Sequence, residues 1–171
     1  MATSGTKTFS LSIGDAIEEA FELAGIELRT GYDAETARRS LNIMFADWSN
    51  RGVNLWTIEQ VTTNLTAGTS SYTFNSYDID ILSAVIRKTD SGNDTDLQIE
   101  RIGRSEYLNI PTKSQTGRPS QFFLDRQISP TLKLWPVPEN NTDIVKFDRL
   151  VRMDDADDYT NTLQIPFRFY P

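Results

Sequence analysis

The sequence contains no cysteine and no histidine. Without cysteine there are no disulfide bonds or thiol nucleophiles, and without histidine there are no Ser-His-Asp triads, imidazole bases or ordinary zinc sites. Long apolar runs are also missing, since stretches such as 84–86 fall far short of the roughly 20 residues that cross a bilayer. The N-terminus lacks a basic region followed by an apolar run, so the sequence predicts neither a signal peptide nor a membrane anchor.

Basic residues are outnumbered, with 17 Lys and Arg against 24 Asp and Glu, a net charge of −7 over 171 residues. A protein that wraps nucleic acid needs a basic surface, and this composition does not provide one. The hydrophobic share is 38%, below the usual proportion for a globular domain. The length indicates one domain or two small ones. The low hydrophobic share indicates a modest core and predicts that some surface is buried against other chains.

The first third of the chain has the apolar period of two helices. Ser12 is placed to cap the first helix and Gly25 to end it; Asp33 is placed to cap a second helix over 34–51, with Gly52 just after it. The connection is short, so an antiparallel hairpin over 12–52 is predicted. The two apolar stripes are Ile13, Ala16, Ile17, Ala20, Phe21 and Ala24, and then Ala37, Leu41, Met44, Phe45 and Trp48.

After Gly52 the pattern changes to short alternating segments typical of strands. A hairpin tip is predicted at 90–94 and one or two helical turns at 104–109. The fold class is therefore α+β, with a helical hairpin followed by a mainly antiparallel β-rich part. The predicted strands are 54–65, 71–74, 82–88, 97–102, 120–126, 131–135 and 143–151. The predicted divisions are a flexible arm at 1–11, the hairpin at 12–52, the β-rich domain at 53–153 and an acidic, then aromatic, segment at 154–171.

Three groups of charged residues stand out, and none predicts a metal or cofactor site. The densest acidic run is either a solvated turn or a wall that repels a passing polyanion. A second acidic group on the first helix is either solvated or the carboxylate pair of a hydrolase. The small basic clusters, such as Arg38 with Arg39, are expected to pair with the acidic excess. The two acidic groups are Asp154, Asp155, Asp157 and Asp158, and Glu18, Glu19 and Glu22.

Five segments resemble, in order and spacing, the head-to-tail adaptor proteins of tailed bacteriophages. These proteins are also called connector or head-completion proteins, and are related to tail tubular protein A of short-tailed phages. The resemblance covers roughly residues 10–170. The segments are ARRSLNIMFADW followed by RGVNLW (37–56), RSEY with IP (104–111), GRPSQFF (117–123), LKLWPVP (132–138) and IPFRF (165–169).

The resemblance implies a structural virion protein of the phage neck, made in the host cytoplasm, without an active site or cofactor. Such proteins form a ring, commonly of twelve copies, below the portal protein. The ring extends the channel through which genomic DNA passes without specific binding, and docks the next tail component, a nozzle or fibre-bearing protein. The candidate channel-facing residues are the two acidic groups above. The candidate subunit or portal contacts are Arg38, Arg39 and Arg118.

Two alternatives stay open at this point. The chain could be another tail component, such as a tube or nozzle protein, or a virion-borne cell-wall hydrolase that uses carboxylates only. The helical hairpin separates the first alternative from an adaptor, because tube proteins are mostly β. The absence of cysteine and histidine argues against the second.

Overall fold

The computed structural model describes Gly5 and residues 9–29, 31–90 and 92–169. The chain divides into two compact units. The helical unit contains the residues up to Trp56 and those from Met153 onward, and the β unit is Thr57–Arg152. Most of the predicted arm at 1–11 lies outside the described residues. The last residues of this arm pack on the helical unit. The Phe9 and Phe167 rings lie edge to face with their centres 6.0 Å apart, and Leu11 packs on the helical core.

The helices are α1 (Ile13–Leu23), α2 (Gly31–Arg51) and α3 (Arg104–Asn109), with short 3-10 helices at Leu55–Thr57 and Phe167–Phe169. No helix among the described residues is both long and apolar enough to cross a membrane. The strands are β1 (Ile58–Asn64), β2 (Ser71–Thr73), β3 (Asp78–Asp90), β4 (Asn93–Gln98), β5 (Glu100–Arg101), β6 (Thr116–Gly117), β7 (Gln121–Asp125), β8 (Thr131–Trp135), β9 (Val137–Pro138) and β10 (Ile144–Val151).

The start and end of α1 confirm the prediction. The Ser12 hydroxyl accepts a hydrogen bond from the Asp15 N–H at 3.1 Å, and the Asp15 carboxylate accepts one from the Ser12 N–H at 3.3 Å. Two otherwise unpaired N–H groups are satisfied in this way. The helix ends just before Gly25, which has a φ of +69°, a value that glycine adopts without strain.

The start of α2 differs from the prediction. The helix begins at Gly31 rather than Ala34, so Asp33 lies in the first turn and is not the N-cap. An aspartate is favourable both at the N-cap and in the first turn, because both positions lie near the positive end of the helix dipole. The end of the helix confirms the prediction: Gly52 has a φ of +67°, and the Val53 N–H donates to the Trp48 carbonyl at 3.1 Å.

The helical core confirms the predicted apolar stripe of α2 and part of that of α1, whose Ala20 and Ala24 are exposed. Ile13 and Ile17 from α1 and Phe45 from α2 are buried, and the other stripe residues of α2 pack around them. The same core contains three buried residues from the C-terminal part of the chain, namely Met153, Ala156 and Leu163. Segments far apart in sequence therefore complete the core of the two helices.

The β unit contains two four-stranded sheets, in the orders β1-β10-β3-β4 and β2-β8-β7-β5, and a small parallel pair of β6 and β9. Pairing in the two larger sheets is antiparallel except between β5 and β7. Alternate residues of β8 are buried, with Leu132 and Leu134 pointing inward. The core of the unit is Leu65, Ile81, Ala84, Ile86, Ile99, Phe122, Leu124, Leu132, Leu134, Val145 and Phe147.

Three strand predictions were wrong in detail. The strand expected over 82–88 is longer, because β3 spans Asp78–Asp90. The strand expected from Asn54 begins at Ile58, because Leu55–Thr57 forms a 3-10 turn. The return strand expected over 97–102 is two strands in different sheets. The change occurs at the buried Ile99, whose N–H donates to Ala84 in the first sheet, whereas the next N–H, of Glu100, donates to Ser120 beside the second.

Candidate interaction surface

The excess acidic charge is concentrated in the helical unit. That unit has twelve acidic and six basic residues, a net charge of −6, whereas the β unit has twelve acidic and eleven basic residues, a net charge of −1. The two units together account for the −7 of the chain. The sequence did not reveal this segregation, because the C-terminal acidic run joins the helical unit only in three dimensions.

Charges of the β unit are largely paired within it. Arg87 contacts Asp94 at 2.9 Å and Asp96 at 2.7 Å, and its hydrogen bond to Asp96 lowers the pKa of that carboxyl. Asp80 is held between Arg101 and Arg126, at 2.8 and 2.5 Å. Such pairs leave little unbalanced charge on this unit.

A C-terminal strap, defined here as residues 153–165, packs on the two long helices. Its buried anchors are Met153 and Ala156, which are 1% and 2% exposed. The Asn42 side chain of α2 binds Ala156 twice: the amide nitrogen donates to the Ala156 carbonyl at 3.2 Å, and the amide oxygen accepts from its N–H at 2.7 Å. Trp56 adds an indole hydrogen bond to the Gln164 carbonyl at 2.8 Å. The strap is thus tied to the helical unit at several points.

The four candidate aspartates of the strap are exposed and flank its buried anchors. Asp158 accepts hydrogen bonds from the Thr160 N–H and hydroxyl, both at 3.1 Å. These two bonds, with the nearby Arg38 charge, lower the pKa of the Asp158 carboxyl. The anchors fix the backbone on which the carboxylates stand: Asp154, Asp155, Asp157 and Asp158.

The second acidic group belongs to the same unit. Glu18, Glu19 and Glu22 are exposed on α1, a helix whose sequence contains no basic residue. Glu18 also lines a cavity of about 230 Å³ with Leu28 and Tyr159. Both predicted acidic groups therefore lie on the helical unit, while their channel-facing role stays a prediction.

Two of the three candidate contact arginines have partners within the chain. Arg38 donates to the Asp157 carbonyl at 2.5 Å, and its guanidinium lies 5.6 Å from the centre of the Tyr159 ring. Arg118 pairs at 3.3 Å with Asp143, whose side chain is 4% exposed. Arg39 is exposed on α2. Arg38 thus holds the strap and Arg118 a buried carboxylate, and contacts of all three with other chains stay a prediction.

Large apolar side chains are also exposed on the helical unit. The helix patterns could have indicated two of these residues, because Leu23 and Ile43 fall outside the apolar stripes of α1 and α2. Apolar surface of this kind is a mark of interaction sites when it is grouped. The exposed apolar residues of this unit are Phe9, Leu23, Ile26, Tyr32, Ile43, Val53, Leu55, Phe167 and Phe169.

No protein-family model matches the chain, and no curated protein matches its sequence. Among the residues that the structure describes, no group of three or more acidic side chains is arranged to hold a metal ion. The surface of the helical unit, acidic and partly apolar, is the feature of the molecule that most clearly points to a role.

Proposed function

We propose that this chain is a structural subunit of the head-to-tail adaptor ring of a tailed bacteriophage. The ring would lie between the portal protein and the tail, extend the DNA channel, and dock the next tail component. Support comes from the order of the resembling segments along the sequence and from the helical hairpin. The hairpin favours an adaptor over a tail-tube protein, because tube proteins are mostly β.

The observation that carries the proposal is the concentration of acidic charge on one unit that also exposes large apolar side chains. A ring subunit buries part of its surface against its neighbours, and exposed side chains such as Ile26, Leu55 and Phe167 supply apolar area for such contacts. The −6 charge of the same unit would be repeated around the ring. A polyanion near such a surface is repelled rather than held.

Repulsion suits a channel through which DNA must pass without adhering. DNA carries one negative charge per ~1.7 Å of its axis, and a basic wall would bind it by releasing condensed counterions. We assign the strap aspartates to the channel wall first, and the glutamates of α1 second. Anchoring by Asn42 and Trp56 would keep the strap carboxylates in place as DNA moves past.

A nonsense mutation in the encoding phage tests the proposal. In a host that does not suppress the stop codon, heads should fill with DNA but carry no tails, because the adaptor joins the two. Growth in a suppressing host is the control, and should restore complete particles. Tailed, infectious particles made without the chain would refute the adaptor role.

A further inference from the structure

An open apolar groove runs between α1 and α2. It has a volume of about 250 Å³, smaller than the ~300–1,000 Å³ typical of small-molecule pockets. The groove therefore suits a few side chains of a partner better than a whole ligand. Its lining is almost wholly apolar: Ala16, Ile17, Ala20 and Phe21 from α1, and Ala37, Ser40, Leu41 and Met44 from α2.

The shape of the groove suits a third helix. Ala16 and Ala20 are four residues apart on α1, and Ser40 and Met44 are four apart on α2, so each pair forms a ridge along its helix. Small side chains at Ala16, Ala20 and Ser40 leave space for a helix to approach closely. The segment of α2 that lines the groove, from Ala37 to Met44, is about 10 Å long. A bound helix places its i, i+3, i+4 and i+7 side chains over the same distance.

The surroundings of the groove are acidic and apolar together. Residues three apart are neighbours on a helix, so Glu19 borders the groove beside Ala16, and the exposed Leu23 borders it beside Ala20. On α2, Ile43 borders the groove beside Ser40 and is 65% exposed. All charged residues of α1 are acidic, and the unit as a whole carries −6.

From this charge complementarity we infer that the groove binds a basic amphipathic helix of a partner protein. Leucine-like side chains of that helix fill the groove between Ala20 and Ser40, and its lysine or arginine residues face the carboxylates of α1. Helix-in-groove docking of this kind uses apolar contacts for affinity and the charged rim for orientation. It holds for this unit whether or not the chain belongs to an adaptor ring; in a ring, the strap aspartates alone would then form the channel wall.

A peptide titration tests the inference. The probe is a fluorescent 18-residue peptide of leucine and lysine, with the leucines at helical spacing, followed by fluorescence anisotropy with the full chain. Two control peptides have the same leucine and lysine content in strict alternation, or glutamate in place of lysine. We expect micromolar binding of the probe and at least tenfold weaker binding of both controls.

Variants of the protein separate groove binding from general charge attraction. Ala20→Leu with Ser40→Leu fills the groove and should weaken probe binding at least tenfold with an unchanged melting temperature. Ala46→Leu is the matched control and should bind as the parent does; nine residues are two and a half turns, so Ala46 lies opposite Ala37 on α2. Glu19→Gln should weaken binding about 2- to 5-fold at low salt.

The charge variant has its own control, Glu100→Gln at an exposed position of the β unit, which should leave binding unchanged. Equal binding of the helical and alternating peptides would overturn the inference, since charge alone would then explain it. Unchanged binding to the filled groove would overturn it too. So would a dimer of the parent chain that dissociates when the groove is filled, because the occupant would then be a second copy.

Discussion

Replacing Asn42 by alanine should loosen the C-terminal strap. The Asn42 amide makes two hydrogen bonds to the backbone of Ala156, of 2.7 and 3.2 Å, and both are lost in Asn42→Ala. The Ala156 N–H and carbonyl then lose their partner beside a residue that is only 2% exposed. The strap would still be held by Met153, Leu163 and Trp56, so the protein should remain folded.

The size of the effect follows from the number of bonds. A typical hydrogen bond contributes about 0.5–1.5 kcal/mol net, so two contribute about 1–3 kcal/mol. Since 1.4 kcal/mol is a factor of ten, the equilibrium for opening the strap should shift roughly 5- to 150-fold. The Ala156 amide also loses its acceptor, so its own exchange should accelerate by at least this factor.

Amide hydrogen exchange measured by NMR reads the change at the residue concerned. In Asn42→Ala, exchange should accelerate at Ala156 and at Leu163, whose N–H donates to the Leu11 carbonyl at 3.2 Å. The matched control is Asn50→Ala, an exposed asparagine on the same helix, which should leave the strap amides unchanged. Amides of the β unit should be unaffected by either substitution.

An Asn42→Ala variant whose Ala156 and Leu163 amides exchange within about twofold of the parent rate would refute the reasoning. The strap would then be held by its apolar anchors alone. A change confined to Ala156 would mean that the two hydrogen bonds protect one amide without holding the segment. Acceleration throughout the helical unit would mean that strap and helices unfold together.

Three further outcomes are expected. Trp48→Ala should lower the free energy of unfolding in urea by ~2–4 kcal/mol, because Trp48 is half-buried against Phe45. A loss below ~1 kcal/mol would show that Trp48 does not belong to the core. Thr160→Ala should raise the pKa of Asp158 in an NMR titration, because one of the bonds that lower it is removed. In the parent chain the bonds from Thr160 to Asp158 stabilise the folded protein at pH values above the ordinary carboxyl pKa of about 4, and this stabilisation is lost as the pH falls through the lowered pKa. An unchanged pKa of Asp158 in the variant would contradict the assignment. The last variant is a phage in which all four strap aspartates are changed to asparagine, namely Asp154, Asp155, Asp157 and Asp158. It should assemble normally but eject its genome more slowly or with greater salt dependence. Loss of assembly would instead place these residues at an interface.

Local signals in the sequence predicted much of the fold. Helix α1 followed from its apolar period and from Ser12 and Gly25, which act on their own neighbours. Helix α3 and strand β8 were predicted with the bounds that the structure has. These features depend on interactions over a few residues, which a single sequence displays directly.

Contacts between distant residues could not be predicted. The strap reaches α2 through Asn42 and Ala156, which are separated by 114 residues, and no local pattern marks such a pair. The division of β4 from β5 also depends on a distant partner, because the chain at Ile99 passes from one sheet to the other. The acidic candidates were found from sequence, but their joint location on the helical unit needed the tertiary structure.

Native mass spectrometry of the chain with the portal protein of the same phage tests the central proposal most directly. Alone at micromolar concentration, the chain should be mainly monomeric, because the proposed adaptor would assemble on the portal. With the portal ring it should form one complex with a fixed number of copies, commonly twelve. A chain that stays monomeric beside an intact portal ring, with no complex of defined stoichiometry, would contradict the account.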